Sequence, residues 1–167
     1  TENKNAYKRS ENLVQTIGLL QVNNPSILEV GCNAGRNLKV LYQAGYLDLK
    51  AIEISPEAVS LLRANVPELH GIQIFQGPAD RELENLADSS IDIIFSMAVL
   101  QHIHDEKIKF VASQMARVAS RFIICYECET FLSWRHFPRS YKTIFKKLGY
   151  SHLGKVNHMR IFQKNSL

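Results

Sequence analysis

The stretch Ile27-Leu-Glu-Val-Gly-Cys-Asn-Ala-Gly-Arg36 decides the fold. Its first four residues are mostly apolar and predict a short strand that runs directly into Gly31. Glycine permits a sharp turn and a close backbone approach to a ligand. A helix predicted to begin at Arg36 would add free N–H groups and a positive dipole end. The stretch therefore predicts a strand–turn–helix unit suited to a pyrophosphate or to the carboxylate of an amino-acid-like ligand.

The flanking sequence repeats this alternation of strand and helix. Apolar runs predict further strands at 50–54, 72–75, 91–95 and 121–126. Helical spacing predicts helices at 10–22, 36–44, 56–65, 81–86, 108–118 and 141–148. Two more strands, 150–156 and 158–164, are too close in sequence to be parallel and imply a hairpin.

We therefore predict a single α/β domain over residues 1–167, with residues 1–24 as an N-terminal helical cap. Its fold class is a Rossmann-like, doubly wound, mostly parallel seven-stranded sheet. Helices cover both faces, and the C-terminal hairpin adds an antiparallel strand. Ligands of such sheets bind at the carboxyl ends of the strands, near the point where the strand order reverses.

Composition describes an ordinary globular protein. Apolar residues make up 46% of the 167 and charged residues 22%, and no apolar run is long enough to cross a membrane. The chain has three cysteines, Cys32, Cys125 and Cys128. A small, odd number of cysteines does not suit a disulfide framework and favours a reducing, cytoplasmic location. Cys125 and Cys128 have metal-ligand spacing, but a lone pair is a weak signal, so no metal site is expected.

Positive charge is concentrated near the C-terminus. Residues 130–167 contain no Asp or Glu but eight basic residues: Arg135, Arg139, Lys142, Lys146, Lys147, Lys155, Arg160 and Lys164. Such a segment favours an anionic partner or substrate. A solvated helix face is an equally good interpretation of the same pattern.

The spacing of the turn bears on the identity of its ligand. A dinucleotide fingerprint requires glycine where this chain has Asn33, and its third glycine falls out of register here. NAD is therefore disfavoured, although Asn tolerates a left-handed backbone well. Glu53 ends the second predicted strand 22 residues after Gly31, where a carboxylate can accept hydrogen bonds from both ribose hydroxyls. By itself Glu53 is more simply interpreted as a solvated glutamate at a strand end, but together with the turn it favours a nucleoside ligand.

These residues resemble the class I S-adenosylmethionine-dependent methyltransferases. Segment 28–38 resembles the family's first motif, Glu53 its second acidic position, and Ala79-Asp80 the pair near the adenine. Segment 96–103, Ser-Met-Ala-Val-Leu-Gln-His-Ile, resembles the stretch that lines the cofactor's other side. The resemblance covers about Ile27 to Val118.

The resemblance implies S-adenosylmethionine as cofactor and places particular residues around it. Glu29 and Gly31 would flank its methionine portion, Asp80 would receive the adenine amine, and Met97 and Val99 would pack against the adenine or the sulfonium. Core packing is an equally good interpretation of Met97. The full predicted set is Glu29, Gly31, Cys32, Asn33, Gly35, Asn37, Glu53, Ile54, Ala79, Asp80, Ser96, Met97 and Ala98.

Methyl transfer from a sulfonium is an in-line displacement that depends on alignment and exclusion of water. A base is needed only where the acceptor must lose a proton. His102, after the fourth strand, and His136, in the loop after the fifth, are the candidate catalytic residues, and each could instead be structural. Further candidates for the base are His104, Glu127 and Glu129.

The loop after the fifth strand is expected to face the acceptor. Trp134, Arg135, Arg139 and Tyr141 could close over an anionic substrate, since Arg binds carboxylates and phosphates with two hydrogen bonds. We expect a small metabolite as acceptor, with RNA a less favoured partner, and a monomer or homodimer. A protein that binds the cofactor without catalysis is the alternative from another functional class.

Overall fold

The computed structural model describes residues 4–130, 133 and 136–166. Within those residues the helices are α1 (Lys4–Gly18), α2 (Arg36–Gln43), α3 (Pro56–Asn65), α4 (Ala79–Glu84), α5 (Asp105–Val118) and α6 (Tyr141–Lys147). The strands are β1 (Ile27–Val30), β2 (Leu49–Glu53), β3 (Gln73–Gln76), β4 (Ile91–Met97), β5 (Ala119–Tyr126), β6 (Tyr150–Val156) and β7 (Met159–Lys164).

The seven strands form one sheet in the order β3-β2-β1-β4-β5-β7-β6. The strands β1 to β5 pair in parallel, whereas β7 runs antiparallel to both β5 and β6. This arrangement confirms the predicted Rossmann-like fold and its C-terminal hairpin. The strand order reverses between β1 and β4, so the carboxyl ends of these two strands open into one crevice.

Both faces of the sheet are buried under helices. One apolar cluster joins residues of the sheet to α4, α5 and α6, and the other joins the sheet to α1, α2 and α3. Neighbouring residues of a strand serve opposite faces, as Ile93 and Ile94 do in β4. This double burial explains why the central strands are nearly continuous apolar runs.

Three helices begin earlier than predicted: α1, α4 and α5, the last of which starts at Asp105 instead of 108. The apolar stripe of α1 extends back through Ser10 to Ala6, both buried, so α1 begins at Lys4 and ends at Gly18 rather than covering 10–22. The polar Ser10 hides this extension in the sequence. Helix α4 begins at Ala79 instead of 81, which places Asp80 in its first turn.

Capping residues account for several of the boundaries. The Ser55 hydroxyl accepts the Ala58 N–H, and Pro56 stands at the first helical position of α3, as predicted. Helix α2 ends at Gln43, and Gly45, whose φ is 94°, caps its C-terminus as predicted. The Tyr46 and Gly45 N–H groups donate to the carbonyls of Leu41 and Tyr42, the pattern of a Schellman motif.

The turn after β1 is left-handed at three positions, Gly31 (φ 77°), Asn33 (48°) and Gly35 (80°). A Cβ on Gly31 would lie 2.5 Å from Val99 Cγ2, and one on Gly35 would lie 2.7 Å from Leu62 Cδ1. The sequence suggested that glycine makes room for a ligand. In the structure, the side chain of Val99 leaves no room for a Cβ at Gly31, and the side chain of Leu62 leaves none at Gly35.

Replacing Gly31 with Ala should destabilise the fold more than replacing Gly45. Both positions have positive φ, which costs an L-residue roughly 1–2 kcal/mol. Only Gly31 adds a clash, with an overpacking cost of about 1–3 kcal/mol. Urea unfolding measures both variants, and Val99→Ala should recover part of the loss at Gly31 but none at Gly45. Equal losses at the two glycines would contradict the role given to Val99.

Candidate active site

A cavity of about 780 Å³ opens at the carboxyl ends of β1, β2 and β4. Its walls include most of the residues predicted to bind a cofactor and one predicted catalytic residue: Glu29, Gly31, Cys32, Asn33, Asn37, Glu53, Ile54, Ala79, Asp80, Met97, Ala98 and His102. The remaining three predicted residues lie off these walls. Gly35 packs against Leu62, Ser96 is buried within β4, and His136 lies behind His102.

Glu53 braces the turn from the end of β2. Its Oε2 accepts the Asn33 N–H at 2.7 Å and its Oε1 accepts the Ser55 N–H at 2.9 Å. The side chain is buried, yet it forms part of the cavity wall. Each carboxylate oxygen can accept more than one hydrogen bond, so the group can also receive hydroxyls of a ligand.

Glu29 forms the floor of the cavity. Its Oε1 accepts Nδ2 of Asn37 at 2.6 Å, and Asn37 Oδ1 accepts the Ser10 hydroxyl of α1 at 2.6 Å. Its other oxygen, Oε2, is buried and has no hydrogen-bond partner among the described residues. Burial raises the pKa of this carboxyl from 4.5 to about 8. A donor group on a bound ligand would satisfy the unpaired oxygen, and a cationic donor would also compensate the buried charge.

The opposite end of the cavity combines a charge pair with apolar surface. Asp80 Oδ2 accepts Lys107 Nζ of α5 at 2.8 Å, and this contact lowers the pKa of Asp80. Ile54 is 67% exposed although it is apolar. An exposed apolar side chain and a carboxylate that line the same cavity suit a planar ring that carries a donor.

The segment after β4 forms the remaining wall and carries His102. The carboxyl of Glu127 accepts the N–H groups of Val99 at 3.2 Å and Gln101 at 3.1 Å. Desolvation raises the pKa of Glu127. The sequence suggested Glu127 as a base, whereas the structure shows it holding the backbone of this wall.

The structure brings the two predicted catalytic histidines together. The ring centroids of His102 and His136 lie 4.6 Å apart, and His136 Nδ1 is 2.8 Å from the Ser133 hydroxyl. Only His102 belongs to the cavity wall. Gln101, the buried neighbour of His102, connects these segments, and no motif in the sequence indicates that role.

Several of the C-terminal basic residues stabilise the fold. Arg139 Nη2 lies 3.0 Å from Asp105 Oδ1, Arg160 pairs with Glu129 through two nitrogens, and Lys164 donates to the Ala119 carbonyl. Glu129, a candidate base, is thus engaged in an ion pair with Arg160 and is not among the residues that line the cavity. The lysines of α6 are exposed: Lys142, Lys146 and Lys147.

Two of the residues predicted to close over an anionic substrate make contacts within the protein instead. Tyr141 is buried in the core, because it lies on the inner face of α6, so it cannot cover a substrate. Arg139 donates to the carbonyls of Phe137 and Ile103 and is likewise structural. Trp134 and Arg135 lie outside the described residues.

The pattern of the Methyltransferase domain family matches residues 28–121, more than half of the chain. The chain belongs to this methyltransferase family. The matched region begins at β1 and ends within β5, so it contains the whole cavity wall described above. This confirms the sequence-based identification of a class I S-adenosylmethionine-dependent methyltransferase.

Solved structures of similar fold include further methyltransferases. The magnesium protoporphyrin IX methyltransferase of Synechocystis PCC 6803, solved with bound S-adenosylmethionine, has a TM-score of 0.73 at 18% identity over 96% of this chain and 80% of its own. A SAM-dependent methyltransferase of Archaeoglobus fulgidus has a TM-score of 0.73 at 13% identity over 93% and 92% of the two chains. At these identities the likeness shows a shared fold. A search of curated proteins finds no match to this methyltransferase.

Across the described part of the methyltransferase, no helix has both the length and the apolar character needed to cross a lipid bilayer.

Glu29→Gln should change how the stability of the methyltransferase depends on pH. The unfolded carboxyl titrates near 4.5 and the folded one near 8, so between these values only the folded state retains the proton. The free energy of unfolding therefore falls as pH rises through this window, by about 1.4 kcal/mol per pH unit for this group. Glutamine does not titrate, so the variant should gain stability relative to wild type from about pH 5 to about pH 8.

Urea unfolding across that range measures the difference. The exposed Glu57 provides a matched control, since Glu57→Gln should leave the high-pH slope of the wild type unchanged. If the free energy of unfolding depended on pH in the same way for wild type and Glu29→Gln, burial would not hold a proton on Glu29.

Proposed function

We propose that this methyltransferase binds S-adenosylmethionine in the cavity at the ends of β1, β2 and β4 and methylates a small anionic acceptor. The observation that carries the proposal is the Glu53 carboxylate, which two backbone N–H groups hold in the cavity wall beside the Gly31 turn. A carboxylate fixed at this strand end suits the two hydroxyls of a ribose.

The polar groups along the cavity fit the successive parts of this cofactor. The unpaired buried Oε2 of Glu29 suits the ammonium of the methionine portion, and Asn37 holds the Glu29 carboxyl in place. Asp80 suits the exocyclic amine of adenine, and the exposed Ile54 suits the face of the ring. Gly31, Cys32 and Asn33 line the middle of the cavity, with Ala79, Met97 and Ala98 completing the walls.

Methyl transfer requires this protein mainly to align the two reactants and to exclude water. When bound, S-adenosylmethionine supplies a sulfonium methyl group, whose carbon–sulfur bond breaks as the acceptor's lone pair bonds to carbon and the sulfur keeps its electron pair. Met97, Ala98 and Val99 provide an apolar wall at the end of β4. His102 follows on this wall, with His136 packed beside it, and we place the acceptor next to this pair.

Two observations support a small acceptor over RNA. The cavity holds about 780 Å³, within the range of small-molecule sites. Of the C-terminal cations, Arg139, Arg160 and Lys164 are engaged within the protein, which leaves a limited surface for phosphate contacts. One protein of similar fold, the magnesium protoporphyrin IX methyltransferase, is itself named for a small molecule.

Glu53→Ala should weaken binding of S-adenosylmethionine by about tenfold to a hundredfold, since a hydrogen bond to a charged group is worth about 1.5–3 kcal/mol. Isothermal calorimetry measures the change. Glu57→Ala is the matched control, because Glu57 lies four residues further on, is exposed and is not among the residues that line the cavity. Unchanged affinity in Glu53→Ala, with normal folding, would refute the ribose assignment.

The acceptor class is tested by incubating the protein with isotopically labelled S-adenosylmethionine and either a metabolite extract or total RNA. We expect label in the small-molecule fraction, with the same yield after Lys142, Lys146 and Lys147 are all changed to Gln, because these side chains lie on α6 outside the cavity wall. Label in the RNA that this triple variant abolishes would establish the RNA alternative. Absence of label in both fractions, despite cofactor binding, would favour a non-catalytic binding protein.

A further inference from the structure

Gln101 joins three separate segments of the acceptor side. It follows β4 in the short 3-10 turn Leu100–His102 and is buried. Its backbone N–H donates to Glu127 Oε2 at 3.1 Å, and its carbonyl accepts the Phe137 N–H at 2.9 Å. The backbone of Gln101 is thereby held by the end of β5 and by the loop that follows it.

The orientation of the Gln101 amide is fixed by a second contact. Its Oε1 accepts the Cys128 N–H at 2.6 Å. A backbone N–H can only donate, so the atom facing Cys128 must be the amide oxygen. The amide nitrogen is consequently directed the other way, where it lies 3.2 Å from Nε2 of His102.

This contact determines where neutral His102 carries its proton. An amide NH₂ group only donates, so His102 Nε2 must accept with its lone pair. A neutral imidazole has one protonated and one unprotonated nitrogen, which leaves the proton on Nδ1. We propose that Gln101 is a positioning residue that fixes His102 in its Nδ1-protonated tautomer, so that the ring acts as a hydrogen-bond donor and not as a base.

The proposal deepens the proposed function, on which its consequence for substrates rests. The lone pair of neutral His102 is engaged by Gln101, so His102 does not take a proton from the acceptor. The reaction at this wall then suits an acceptor whose nucleophilic oxygen arrives ionised, and a carboxylate is ionised at neutral pH. Its oxygen bonds to the methyl carbon, the carbon–sulfur bond breaks, the electron pair stays on sulfur, and no proton moves.

The tautomer can be measured directly in the protein without an acceptor. Long-range ¹⁵N–¹H correlation spectra of protein labelled with ¹⁵N-histidine distinguish the two tautomers, and His102→Asn identifies the signal by its loss. We expect wild-type His102, once neutral, to show a protonated Nδ1 and an unprotonated Nε2. An Nε2-protonated ring in the wild type would overturn the proposal, whatever the behaviour of any variant.

Gln101→Glu provides the matched test, since it keeps the shape and the acceptor for Cys128 but replaces the donor with a second acceptor. We expect loss of the Nδ1-protonated form of His102 and its replacement by a form protonated at Nε2. Gln101→Leu, which offers neither donor nor acceptor, should abolish the strong preference for Nδ1. An unchanged tautomer in a folded Gln101→Glu protein would also overturn the proposal.

Binding of S-adenosylhomocysteine, measured by calorimetry, reports whether each variant is folded. It also separates this proposal from the proposed function. A wild type that binds the product and shows the expected tautomer, but labels no small molecule, would leave the Gln101–His102 contact established and the acceptor assignment refuted. If a small molecule were labelled but the His102 ring were protonated at Nε2, the proposed function would be supported and the role of Gln101 refuted.

Discussion

The contact between the Gly31 turn and Val99 is the constraint on which the site depends. Parallel pairing places the carboxyl ends of β1 and β4 side by side, so the segments that follow these strands must share one small space. The space is shared because Gly31 has no side chain and adopts a left-handed backbone, which lets Val99 pack directly against it. The cavity lies where these two segments then diverge, with Glu29 and Glu53 on the wall formed by β1 and β2 and His102 on the wall formed by the segment after β4.

The sheet could be predicted from sequence because the patterns that specify its strands and crossover helices each lie within a short stretch of the chain. Each central strand is a short apolar run, each crossover has helical spacing, and parallel sheets permit few orders for such a pattern. That Glu29, Gly31 and Glu53 would meet at one edge of the sheet was predictable for the same reason. Glu29, Gly31 and Glu53 follow directly from the ends of β1 and β2, whose position in the sheet fixes where the side chains lie.

The segment after β4 and the loop after β5 were less predictable because their arrangement depends on contacts between residues distant in sequence. Glu127 and Glu129 are residues of a type that often acts as a catalytic base. In the structure, however, Glu127 accepts the backbone N–H of Val99, and Glu129 pairs with the guanidinium of Arg160. Tyr141 has the spacing of a helix face, but spacing alone does not say whether that face meets the core or a substrate. Gln101 carries no motif, and its importance becomes visible only when Cys128 and His102 are seen on either side of its amide.

The hydrogen-bonded series from Ser10 through Asn37 to Glu29 connects the first helix to the floor of the cavity. Because the Asn37 oxygen accepts the Ser10 hydroxyl, its amide nitrogen is left to donate to Glu29. The first helix therefore sets the orientation of a carboxyl on the cavity floor, although none of the residues of α1 lines the cavity itself.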